Sequence, residues 1–143
     1  MRLNECFEKR LLRREKPDLE KSRRSIQVAE VKIAEARRAF DVDLMDAVVI
    51  LAYTAMFHAA RALLFKDGII EKSHVCLIEY LREKYVKTGL LSEALTNTLD
   101  HMRIDRHETL YGLETKSSRK DAEYCLRKAE DFLSVVKAVL AEL

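Results

Sequence analysis

Apolar side chains recur along most of this chain at intervals of three and four residues, the period of an α-helix that buries one face. After Pro17, which suits a first helical turn, Leu19, Ile26, Ala29, Ile33, Ala36 and Phe40 trace one stripe and predict a helix to about Phe40. Asp41 and Asp43 suit the cap and first turn of a second helix, where negative charge meets the positive end of the dipole. That helix is expected to reach Phe65 or Lys66 and to stop at Gly68, which takes a left-handed conformation at little cost. Ser73 predicts the cap of a third helix through about Tyr85, with Leu77, Ile78, Leu81 and Tyr85 on its inner side. Thr88-Gly89 breaks the chain, and Ser92 with Glu93 opens a fourth helix through about Leu113. Ser117 or Ser118 caps a fifth, along which Ala122, Cys125, Ala129, Phe132, Val136 and Leu140 repeat at helical spacing. A short basic helix over Leu3 to Glu15 precedes these, and no segment reads as a strand. Short connections between long amphipathic helices favour antiparallel neighbours, so the pattern predicts an all-α fold: an antiparallel up-and-down bundle of about five helices in one domain spanning 1–143.

Composition narrows the function classes. With 48% hydrophobic and 35% charged residues but only 3 Gly and 1 Pro, the chain is too rich in core and too poor in breakers for disorder or an all-β fold. A net charge of +2, from 26 basic against 24 acidic side chains, gives no global electrostatic case for nucleic-acid binding, so any such binding has to be local. Cys6, Cys76 and Cys125 are odd in number and scattered, matching neither a disulfide framework nor a metal knuckle, and the expected location is a reducing cytoplasm. Glu5, Glu8 and Lys9 interrupt the N-terminus where a signal peptide needs an apolar run. The most apolar stretch, Ala47 to Phe57, is short against the roughly 20 residues of a bilayer span, which predicts a core helix and no membrane association. His74 and Cys76 lie two apart on a helix, and His58, His101 and His107 lack zinc-ligand spacing, so neither a metal nor another cofactor is expected.

Two groups of polar side chains stand out from this frame. Arg103, Arg106, His107 and Tyr111 fall within three turns of the fourth helix, over what the spacing predicts to be a common sector. Guanidiniums hold phosphates through a planar fork of donors and imidazole titrates near neutral pH, so this set suits a phosphate. On the otherwise apolar second helix, Asp46, Tyr53, Thr54, His58 and Arg61 fall close to one stripe and need solvent, a second subunit or another polar helix face to satisfy them. Small residues at Ala59, Ala60 and Ala62 offer another helix a close approach beside Arg61.

Tyr53-Thr54-Ala55-Met56-Phe57-His58-Ala59-Ala60-Arg61-Ala62-Leu63-Leu64, followed by Gly68, Lys72 and His74 and then by Arg106 to Tyr111-Gly112, resembles the HEPN family of small helical domains, in particular its short stand-alone members. The likeness extends from about Leu19 to Leu140. It implies a five-helix bundle, a homodimer in which the polar motifs of the two subunits face each other, and frequent pairing with a minimal nucleotidyltransferase in toxin-antitoxin operons. Many relatives are metal-independent endoribonucleases whose signature is Arg followed four to six residues later by His. Here Tyr111 stands where that histidine is expected, counting from Arg106, as in the arginine-to-tyrosine form common among stand-alone members.

The resemblance and the residues together make Arg103, Arg106, His107 and Tyr111 the candidate catalytic set, and Tyr53, His58, Arg61, Lys72 and His74 candidates for binding the substrate or nucleotide. RNA cleavage needs a group to take the 2′-hydroxyl proton, a group to protonate the leaving oxygen and cations to hold the phosphorane's charge. Tyr111, with an ordinary pKa near about 10, is a hydrogen-bond donor rather than a base at neutral pH. The alternative is a non-catalytic helical dimerisation module in which the arginines pair with Asp46, Asp105 or Glu108.

Overall fold

The computed structural model describes residues 1–112 and 116–142. The chain forms α1 (Leu3–Glu8), β1 (Leu12–Arg14), α2 (Leu19–Asp41), α3 (Met45–Asp67), β2 (Ile69–Glu71), α4 (His74–Leu81), a π-helical turn at Arg82–Val86, α5 (Glu93–Tyr111) and α6 (Arg119–Ala141). It is an all-α bundle, as the periodicity predicts. The apolar helix α3 is its axis and packs against α2, α4, α5 and α6. It is also the one described helix long and apolar enough to cross a membrane, and its residues are mostly buried among the other helices.

Small side chains explain how α2 lies so closely on α3. Ser22, Ser25, Ala29, Ile33, Ala36 and Ala39 form the buried line of α2. Ser22 Oγ donates to the Ala62 carbonyl at 2.7 Å, and Ser25 Oγ donates to the His58 carbonyl at 2.6 Å. As α2 advances by three residues, its partner on α3 steps back by four, so the pair is antiparallel and its register is held by these two bonds. Leu19, expected on the buried stripe, is 59% exposed because it sits a turn before Ser22, beside Lys66 at the polar end of α3. Arg37 with Glu130 and Lys137 with Glu30 tie α2 to α6 in the opposite sense, making that pair antiparallel as well.

Several expected helix ends shift. Asp18 rather than Pro17 opens α2, accepting the Lys21 N–H at 2.9 Å. Neither Asp41 nor Asp43 caps α3: Asp41 ends α2, Asp43 occupies the tight turn with φ of 62°, and Leu44 enters the helix without a side-chain cap. Ser73, Ser92 and Ser118 cap α4, α5 and α6, each accepting a backbone N–H three residues on. The expected end of the fourth helix at Leu113 lies outside the described residues. The third expected helix changes pitch in its last turn. Tyr80 and Tyr85 both donate to Asp67, at 2.9 and 2.7 Å, and the wider π-helical turn lets two residues five apart reach one carboxylate.

The N-terminal segment departs furthest from expectation. Instead of one helix over Leu3 to Glu15, α1 stops at Glu8 and the chain becomes β1, which pairs antiparallel with β2 with Arg13 opposite Ile70. Three-residue strands are too short to show alternation in a sequence. Gly68 makes the close approach possible: its φ is 75°, and a Cβ there would lie 2.4 Å from the Glu15 carbonyl oxygen. Cys6 in α1 and Cys76 in α4, both buried, form a disulfide across 70 residues of sequence. This corrects the reading of the cysteines as unpaired and removes their support for a reducing compartment. Cys125 is free and buried, and burial pushes its thiol up to about 11.

Candidate functional site

The polar residues singled out by the sequence divide between two faces of the bundle. On α5, Leu99 and Met102 are buried against the core, and the turns that follow carry Arg103 and Arg106 at the edge of that contact. The Arg106 guanidinium lies 5.6 Å from the centre of the Tyr53 ring, within cation–π range, and no acid pairs with it among the described residues. Arg103 is held by Asp100, whose other carboxylate oxygen takes Arg82; the distances are 3.1 and 3.3 Å.

Beneath the arginines lies an aromatic group from α3 and α4. Tyr53 is 1% exposed, and its hydroxyl is 2.6 Å from His74 Nδ1. Phe57, one turn further along α3, stacks on the His74 ring with centroids 4.0 Å apart and planes at 23°. Ser73 fixes the start of α4 and so brings His74 to this position. Burial pushes the Tyr53 phenol up to about 12, against the lowering pull of Arg106 and Arg103, so it stays protonated at neutral pH. Burial holds the His74 imidazole below its ordinary value, and the charges of Arg106, Arg103 and Arg61 push the same way. His74 therefore lies beside three cations that disfavour its protonation.

The remaining candidates are spread around this group. Arg61 sits over the Phe57 and Phe65 rings at 5.7 and 5.0 Å. Its Nε is 2.5 Å from Glu71 of β2, but the N–H is not aimed at the oxygen, so the contact is an ion pair without a well-formed hydrogen bond. Burial raises the Glu71 carboxyl, and Arg61 pulls it back down. His58 is half-buried in a T-shaped contact with Phe57, and it is held below its ordinary value by burial, then by Arg61 and Lys32. Lys72 is exposed, and its backbone N–H extends the hairpin by donating to Leu11 at 2.8 Å. Asp46, expected to meet an arginine, instead accepts the Ser117 N–H at 2.7 Å.

His107 and Tyr111 lie elsewhere. Both are exposed on α5, Tyr111 to 69%, and their rings pack on each other with centroids 5.0 Å apart. The four residues of the α5 motif thus do not share one sector. Arg103 and Arg106 join Tyr53, His74, Phe57 and Arg61, whereas His107 and Tyr111 form a separate pair. Phe57 and Asp100 were not singled out beforehand. Asp100 stands three residues before Arg103, a spacing that signals a helical ion pair, whereas the Phe57–His74 stack joins two helices and has no local signature. Among the described residues, no cluster of His, Cys, Asp and Glu is arranged to hold a metal ion.

The arrangement can hold an anion on guanidiniums, present aromatic faces and an imidazole beside it, and move a proton at that imidazole. Comparison with known proteins places it in context. A family profile described as HEPN domain matches residues 22–139. A protein named "Putative toxin" from Methanocaldococcus jannaschii is 28% identical over 118 residues, covering 82% of this chain and 87% of that relative. A UPF0332 protein from Archaeoglobus fulgidus is 32% identical over 112 residues, covering 78% of this chain and 89% of its own length. Another UPF0332 protein, from Pyrococcus horikoshii, is 26% identical over 124 residues, covering 87% and 82%.

Proposed function

Since the chain belongs to the HEPN domain family, we propose that it is an RNA- or nucleotide-binding protein of the toxin-antitoxin type, acting in the cytoplasm as a single-domain homodimer beside a minimal nucleotidyltransferase, and that it cleaves RNA without a metal ion. The toxin name carried by a relative supports the biological setting. One observation carries the chemistry: Arg106 is poised over a buried aromatic group beside Arg103, with no acid neutralising it among the described residues. A phosphate there gains charge-assisted hydrogen bonds from guanidiniums already positioned.

The test is an RNA binding and cleavage assay on purified protein in EDTA, comparing wild type with Arg106→Ala. Binding weakened by the substitution, with wild-type cleavage leaving 2′,3′-cyclic phosphate ends, supports the reading. Equal behaviour of the two proteins defeats it. A second reading, a non-catalytic dimerisation module, is favoured by Ile104, Leu110 and Tyr111, which lie exposed on α5 where a second helix face can cover them. Light scattering of an Ile104→Glu, Leu110→Glu variant tests this, since a dimer built on that face becomes monomeric and one built elsewhere does not.

A further inference from the structure

We propose that His74, held from behind by Tyr53, is the proton-transfer residue of the arginine-lined site, taking the 2′-hydroxyl proton of an RNA whose phosphate lies on Arg103 and Arg106. This deepens the nuclease reading above and rests on it. His74 is fixed twice, by the 2.6 Å contact from Nδ1 to the Tyr53 hydroxyl and by the stack on Phe57 at 4.0 Å, so both the position and the plane of the ring are set. Its Nε2 has no partner among the described residues and is not sealed from solvent. In the tautomer with hydrogen on Nδ1, that N–H donates a hydrogen bond to the Tyr53 hydroxyl oxygen, which leaves the Nε2 lone pair as the free basic atom.

The charges around the ring suit that task. Burial first, and then Arg106 and Arg103 on α5 and Arg61 on α3, hold the imidazole below its ordinary value. The acids nearby are engaged: Asp100 of α5 with Arg103 and Arg82, and Glu71 of β2 with Arg61. When a phosphodiester settles on the arginines, its negative charge offsets theirs, and the imidazole gains affinity for a proton just as the 2′-hydroxyl has one to give. In the step itself the 2′-oxygen bonds to phosphorus, its proton passes to His74 Nε2, the bond from phosphorus to the 5′-oxygen breaks, and that oxygen takes a proton from water. The imidazolium then returns its proton to solvent. His107 is exposed and packs only on Tyr111, itself exposed, so among the described residues no buried group fixes its ring beside the arginines.

The experiment measures binding and cleavage of an end-labelled single-stranded RNA in EDTA from pH 5 to pH 9, using wild type, His74→Asn, His74→Phe, Tyr53→Phe and His107→Asn. His74→Phe retains an aromatic ring for Phe57, and thermal melts check that each variant folds. The expected result is a loss of about 100-fold or more in cleavage for both His74 variants, with RNA affinity changed by less than about threefold and the acid limb of the pH–rate profile abolished. Tyr53→Phe keeps that limb with its midpoint displaced, the mark of a positioning residue, and His107→Asn matches wild type. If His74→Asn cleaves at the wild-type rate with the same acid limb, the proposal is overturned while the nuclease reading stands. If wild type binds RNA but leaves it intact, or does neither, the nuclease reading fails and the proposal falls with it. A proton NMR titration of wild type needs no variant: the His74 midpoint is expected to rise on addition of the RNA, and an unmoved midpoint overturns the coupling.

Discussion

The inward and outward edges of α5 carry similar chemistry in different circumstances. Arg106 and His107 are adjacent in sequence, and successive residues on a helix point about 100° apart, so the edge of the bundle can fall between them. It does: Arg106 faces Tyr53, whereas His107 is exposed against Tyr111. Spacing of three and four residues puts side chains near one another but does not decide which neighbour they meet. That is decided by the three buried residues before the motif, Thr96, Leu99 and Met102, which orient the helix on the core.

The largest contrast expected from this division is between its two tyrosines. Tyr53→Ala opens a cavity under the arginines and should cost about 3–5 kcal/mol by denaturant unfolding, while Tyr111→Ala should stay within about 0.5 kcal/mol. Comparable losses at both positions would remove the distinction between the faces. The disulfide comes next, because it fastens α1 to α4 two residues beyond His74. Cys6→Ser is expected to lower stability by about 2–4 kcal/mol under oxidising conditions, a difference that a thiol reductant should erase by bringing wild type to the same value. Ser25→Ala removes the bond to the His58 carbonyl and should cost about 1 kcal/mol, a smaller loosening of the inward face.

The pH dependence gives the smallest and most specific signal. Folding holds His74 and His58 below the ordinary imidazole value of about 6.5, so the unfolded chain binds more protons in the window beneath that value. Their contribution favours the folded state above the window and is lost as pH falls below about 6.5. His74→Gln should flatten that slope and His107→Gln should not, a comparison that equilibrium unfolding at a series of pH values can make.

The bundle itself was legible in the sequence because long helices announce themselves by period, and the serine caps of three of them by residue type. The hairpin of β1 and β2 was not, since three residues cannot display an alternation, and its geometry depends on Gly68 passing within reach of Glu15. The Cys6–Cys76 pair was hidden for a related reason: 70 residues separate its members, and only the docking of α1 against α4 brings them together. At the site, the participation of Arg103, Arg106, Tyr53 and His74 was legible as residue types in company. Their grouping was not, because Tyr53 meets His74 across two helices and the exposure of His107 follows from how α5 is rotated on the core.

The most direct measurement of the division is the affinity for a short single-stranded RNA, followed by fluorescence anisotropy at low salt, for Arg106→Ala and His107→Ala beside wild type. The structure predicts a loss of about tenfold or more for Arg106→Ala, equivalent to about 1.4 kcal/mol, and a change under about twofold for His107→Ala. Equal losses in the two variants, or the larger loss in His107→Ala, would contradict a site built on the inward face of α5.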